Sequence, residues 1–134
     1  MSNCTFQITH CTLFLMKDDD NPILKKSFAY ALRIIKLYRY LVETHKEYTL
    51  SKEILVSGTH IGKHATEATD AESRERFRLE MGAALRKASE NEYWLRLVHF
   101  AGYITEVEFD SMNADRLELF KILTKITKTS RGNG

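Results

Sequence analysis

The sequence predicts an all-α fold, a four-helix bundle with an antiparallel up-down-up-down course. Three observations carry this. One proline and six glycines in 134 residues leave few of the turns that a many-stranded fold needs. Apolar residues recur at three- and four-residue spacing over long segments, the period of an amphipathic helix. The breaks between those segments are short, and short connections make consecutive helices antiparallel neighbours. The length is that of one domain with one core, and 43% hydrophobic against 28% charged residues is a globular balance. No apolar run approaches the roughly 18 residues of a membrane span, and the N-terminus lacks the basic start and continuous apolar stretch of a secretory signal. A cytoplasmic protein without membrane association is expected.

Residues 1–15 carry neither a helical nor a strand period. Cys4 and Cys11 fall here, with no second pair elsewhere to complete a zinc site or a disulfide framework, so free thiols are expected. Met16 opens "MKDDDNP", which would itself be a natural start. Residues 1–15 are therefore expected to be a disordered or mis-called extension, with the bundle domain over 16–129 and a disordered tail over 130–134.

The first helix starts at "DDDNP". Asn21 is suited to cap the exposed amides, Pro22 to the first helical position, and the three aspartates to the positive end of the helix dipole. Up to about Lys46 the apolar residues form two stripes: Phe28, Ala31, Leu32, Ile35, Tyr38 and Val42, and Tyr30, Ile34, Leu37 and Leu41. Together they cover more than half the circumference. One stripe suffices for a monomer, so two imply a helix that also meets another subunit. The remaining arc, with Lys25, Lys26, Arg33 and Lys36, is basic.

A second helix is expected from near Leu50 to about Thr69, capped by Thr49 or Ser51 with help from Glu53. Ser57, Gly58, Gly62, Ala65 and Ala68 recur on one side of it and leave almost bare backbone. Interior glycines cost roughly 1 kcal/mol each relative to alanine, an expense that close approach of a neighbouring helix offsets. The third helix carries Gly82, Ala83, Ala84 and Ala88, so these two small surfaces are expected to touch. That third helix is predicted from about Glu72 to Tyr103, roughly 45 Å at 1.5 Å per residue, with Phe77, Met81, Leu85, Leu95 and Val98 in the core. Its charged start, "AESRERFRLE", reads as a solvated surface with local pairing. A fourth helix follows from near Thr105 to about Lys128, with Glu106 and Glu108 in its first turn and Phe109, Met112, Leu119, Leu123 and Ile126 inward.

The segment "SGTHIGKHATEATDAESRERFRLEMGAALRKASENEYWLRLVHFAGYI" resembles the signature region of the bacterial four-helix bundle proteins found in 23S rRNA intervening sequences. The matching positions include Ser57, Gly58, Thr59, Ile61, Gly62, Ser73, Phe77, Ala84, Leu85, Ala88, Gly102 and the run from Tyr93 to Leu97. The resemblance covers roughly residues 25–128. It implies a subunit that assembles into a ring, commonly a homopentamer, with no known catalytic activity. A related protein is the accessory variability determinant of diversity-generating retroelements, a basic barrel that binds a reverse transcriptase and nucleic acid. The chain departs from the family pattern at His60, Lys63, His64 and Thr66.

His60 and His64 lie one helical turn apart, with Glu67 three residues further on, so the three are a weak candidate set for zinc. The zincin motif requires glutamate directly after the first histidine, and Ile61 stands there. Hydrogen bonding between helices is the expected role of the pair; titration near neutral pH across a subunit interface is a second reading. There is no glycine-rich phosphate loop, nucleophile elbow or helical Cys/His pair. Neither catalysis, a cofactor nor a small-molecule substrate is expected. Tyr93, Trp94 and Arg96 have the chemistry to stack on bases, but their setting on a long apolar helix favours the core.

Charge is the remaining signal. The net charge is +2, unevenly placed. Residues 22–46 hold six basic side chains against Glu43 alone, and the last fourteen hold Lys121, Lys125, Lys128 and Arg131 with no acid. The expected nucleic-acid contacts are Lys25, Lys26, Arg33, Lys36, Lys121, Lys125, Lys128 and Arg131, in a protein whose partners are copies of itself, RNA or DNA, and a reverse transcriptase. The competing reading is a scaffold ring that binds another protein.

Overall fold

The computed structural model describes residues 21–132, with the side chains of 131 and 132 left out; the predicted N-terminal extension, the aspartate triplet and the last two residues lie outside it. Four helices and no strand occur among the described residues: α1 (Pro22–His45), α2 (Leu50–Thr69), α3 (Arg74–Phe100) and α4 (Glu106–Gly132). The helix α4 continues past Lys128, where composition predicts its end, to Gly132. None of these helices is long and apolar enough to cross a membrane.

The ends follow local chemistry. The Asn21 side chain accepts from the Ile23 amide at 3.1 Å, and Pro22 occupies the first turn. At α2, Thr49 takes the predicted N-cap position but makes no side-chain cap bond. Glu47 does the work instead, its carboxylate accepting from the amides of Thr49, Leu50 and Ser51 at 3.2, 2.9 and 2.7 Å. Ser73 caps α3 by accepting from the Arg76 amide at 3.1 Å. The helix α3 stops at Gly102, whose φ of +92° is open to glycine at little cost. Tyr103 N–H then donates to Val98 C=O and Gly102 N–H to His99 C=O, closing a Schellman turn. Thr105 and Glu108 exchange side-chain to backbone bonds of 2.8 and 3.1 Å, a capping box opening α4.

Packing is sequential, α2 lying against both α1 and α3, and α4 against α3, with a lighter α1 to α4 seam closing the bundle. Partners run in reverse order along each pair. Ser27 and Ile34 of α1 meet Gly62 and Gly58 of α2, while Ser57 and His64 of α2 meet Asn91 and Glu80 of α3. The core is one cluster, including Tyr30, Ile34 and Leu41, Ile54 and Ile61, Met81, Leu95 and Val98, and Met112, Leu119 and Leu123. Each such aliphatic side chain contributes about 1.5–3 kcal/mol by leaving water. Phe77, Leu85 and Trp94 pack against the cluster from its edge, whereas Tyr93 is 59% exposed and does not join the predicted aromatic core.

The two glycines of α2 do not serve the predicted contact with α3. An added Cβ at Gly58 would stand 2.5 Å from Ile34 Cγ1, and one at Gly62 would stand 3.1 Å from Ser27 Oγ, so both glycines admit α1. Gly82 is no packing glycine at all: a Cβ there would meet only Arg86 Nη1, at 3.7 Å. Ser57, Ala65, Ala84 and Ala88 are buried as expected. The α2 to α3 contact also carries buried polar groups. Asn91 is fully buried; its amide donates to Ser57 Oγ at 3.0 Å and its carbonyl accepts from Tyr30 O–H, so one side chain ties α1, α2 and α3.

Candidate functional site

The predicted basic surface divides in two. On α1, Arg33 reaches across to α4, with Nη1 2.6 Å from Asp115 and Nη2 donating to Ser111 Oγ at 2.8 Å. Lys26 pairs with Glu118 at 3.0 Å. These two cations are engaged in closing the bundle rather than facing a polyanion, and the acidic first half of α4 offsets the α1 stripe that composition alone reads as basic. Lys25 is half-buried and Lys36 exposed.

The second half of α4 is different. Lys121, Lys125 and Lys128 fall within one narrow arc of the helix and are all exposed. Among the described residues none of the three has a carboxylate within 4.0 Å. Arg131 continues α4, but its side chain lies outside the described residues. Across the α3 to α4 seam, Arg74 joins Lys125 around a shallow hollow of about 460 Å³ floored by Phe77 and Ile126 and edged by Thr129 and Ser130. Sequence reasoning missed Arg74, because alternating charges in "SRERFR" look self-neutralising until the fold sets Lys125 beside them.

The histidine turn also rearranges. His60 and His64 rings meet edge to face, 6.1 Å between centroids. Burial, then the positive charges of Lys63 and Lys87, push the His60 imidazole below its ordinary pKa, so it is neutral at pH 7. His64 Nδ1 lies 2.9 Å from the buried carboxylate of Glu80, whose other oxygen takes Arg76 at 2.8 Å. Glu67 is held low by its hydrogen bond from Lys63, 2.9 Å away. Donor atoms of His64, Glu67 and Glu80 all lie within 4.8 Å of one another. The donor atoms that cluster thus join His64 and Glu67 to Glu80 of α3, and not to His60. Elsewhere Arg116, 3% exposed, sits inside the α3 to α4 seam, donating to Asn113 and to the Ala88 carbonyl, with Glu92 at 3.5 Å.

With this geometry in view, the comparisons are direct. The family described as 23S rRNA-intervening sequence protein matches residues 19–125. The chain belongs to this family. A crystal structure of a protein of unknown function from the S23 ribosomal protein family of Bacteroides thetaiotaomicron is similar at 43% identity and a TM-score of 0.78, covering 79% of this chain and 98% of that one. Comparison with curated proteins finds no match. In this member of the 23S rRNA-intervening sequence family, the signature "SGT" and the glycine after it serve packing. Ser57 receives Asn91, Gly58 receives Ile34, and Gly62 receives Ser27.

Proposed function

We propose that the chain is a non-enzymatic subunit of a ring-forming homo-oligomer, an up-down-up-down antiparallel bundle, that binds nucleic acid or a nucleoprotein through the C-terminal half of α4. The observation that carries this reading is the solvent-exposed, carboxylate-free row Lys121, Lys125 and Lys128, extended across the seam by Arg74. Phosphate recognition needs cations whose charge is not already spent, and Lys26 and Arg33 do not meet that condition while these do. The contacts are to backbone phosphates, without base readout. A ring, most simply a pentamer, repeats the row around its circumference and multiplies a modest local charge. A reverse transcriptase bound to its RNA fits the nucleoprotein class.

The test is a titration of the full chain against structured RNA and duplex DNA over about 50–300 mM salt, where phosphate contacts weaken measurably. The reading expects affinity that falls with salt at a slope of several units and is lost in the Lys121→Glu, Lys125→Glu, Lys128→Glu triple variant, while Arg74→Glu alone weakens it. Absence of binding at low salt sinks it and leaves the scaffold reading. That second reading draws on a separate observation, the half-exposed apolar face along α1 and α2. There Phe28 and Ala31 line an open groove of about 420 Å³ with Thr59 and Gly62, and Ile35 and Val56 are 38% and 36% exposed.

A further inference from the structure

We propose that His64, Glu67 and Glu80 bind a divalent transition-metal ion, with Zn2+ as the best fit, at the crossing of α2 and α3. One donor atom from each residue already lies within 4.8 Å of the other two. Tetrahedral zinc with ligand bonds of about 2.0–2.2 Å sets its ligands roughly 3.5 Å apart, so a small swing of the exposed Glu67 carboxylate closes the set. Water fills the fourth position, since His60, its ring 6.1 Å from that of His64, lies outside the set.

The charge arrangement favours a cation at this point. Glu80 projects from α3 with its side chain only 8% exposed, and its two oxygens are matched by His64 and Arg76. The Arg76 and Lys63 side chains that now answer the two carboxylates are 63% and 53% exposed, so both can swing into water as the metal enters. A dication replaces two monocations without changing the local balance. The imidazole selects Zn2+ and its transition-metal neighbours over Mg2+ and Ca2+, which prefer all-oxygen sites. Because the ligands come from two helices, bound metal cross-links them and stabilises the folded chain by mass action.

The experiment uses the full chain carrying Cys4→Ser, Cys11→Ser and His10→Ala, so that the N-terminal thiols cannot capture the probe. Zn2+ is titrated by calorimetry, thermal unfolding is followed with and without Zn2+ or Mg2+, and Co2+ absorption reports the ligand geometry. The expected result is one site per chain, a melting temperature raised by Zn2+ and not by Mg2+, and a tetrahedral nitrogen and oxygen Co2+ spectrum. His64→Ala and Glu80→Gln abolish the shift, and Glu67→Gln weakens binding by at least about tenfold, the lower end of what loss of even an outer-shell partner of a metal ligand costs. Circular dichroism checks that each variant folds; should Glu80→Gln not fold, the surface variant Glu67→Gln and His64→Ala decide. No Zn2+ heat or melting shift at sub-millimolar metal overturns the proposal, as does binding of equal strength in all three variants.

Discussion

Gly58 sits against an isoleucine that cannot retreat. A methyl group there would stand 2.5, 2.7 and 2.9 Å from three carbons of Ile34, itself fully buried. Gly58→Ala is therefore expected to lower stability, with an overpacking cost of about 1–3 kcal/mol only partly offset by alanine's helix propensity of about 1 kcal/mol. In an Ile34→Ala background the same change turns neutral or stabilising, which urea unfolding of the four proteins reads directly. Gly82→Ala, meeting only the flexible Arg86 tip, is expected to stabilise by up to about 1 kcal/mol. Both glycines are visible in the sequence as small residues on helices; which one faces a neighbour is a tertiary fact that spacing alone does not carry. Asn91 is a second case. Replacing it with leucine strips the acceptor from the Tyr30 phenol, which burial keeps protonated well above its ordinary pKa, and is expected to cost about 1–3 kcal/mol for the unmet donor. Tyr30→Phe combined with Asn91→Leu is expected to cost less than the two singles added, in a double-mutant cycle by denaturant unfolding. A signal for these buried polar groups did exist. Asn91 continues the register of Ala84, Ala88, Leu95 and Val98, and Arg116 that of Met112, Leu119 and Leu123, but a reading that collects apolar residues first passes over both.

Helix ends were legible where the capping group is the expected type at the expected place, as with Asn21 and Pro22 or with Thr105 and Glu108. The start of α2 at Leu50 was legible too, but its capping group was not, because Glu47 reaches forward from two residues before Thr49, outside the pattern that cap rules search. Burial pushes the Glu47 carboxyl up, but the amides of Leu50, Ser51 and Thr49 outweigh it and hold the group below its ordinary 4.5. Its contribution is accordingly present in full above that ordinary value and is lost as pH falls through the lower folded value. Glu47→Ala is expected to destabilise by about 1 kcal/mol at neutral pH, the size of a lost N-terminal cap. The gap between wild type and variant should narrow as pH drops below 4.5. Thermal melts of both proteins from neutral to acid pH check this; a gap that stays constant would mean that packing, and not the charged cap, sets the loss.

At the scale of the whole molecule, composition and fold give different pictures of the same charges. Counted along the chain, α1 is the most basic segment, but the bundle lays it beside Asp115 and Glu118 and uses Lys26 and Arg33 to close its weakest seam. Surface pairs of this kind contribute at most about 1 kcal/mol each, so the α1 to α4 contact is the light side of the bundle and α2 is its centre. The outward stripe of α1 is the other unspent feature. Tyr30, Ile34 and Leu41 turn inward and are buried, while Phe28, Leu32, Tyr38 and Val42 stay half-buried and Ile35 lies 38% exposed. The two-stripe pattern thus separates, in the folded chain, into one face that builds the core and one that the monomer leaves open. Apolar surface that is covered in an assembly is sensitive to a single buried charge, because an unpaired carboxylate there has no partner. Under the ring-forming reading proposed above, Ile35→Glu with Val56→Glu is therefore expected to convert an oligomeric wild type to a monomer by sedimentation, with its helical spectrum retained. A monomeric wild type would overturn the ring reading, whereas an oligomeric mass unchanged by the two substitutions would place the contact between copies on another face, with the exposed Leu79 and Phe100 of α3 the next to be changed.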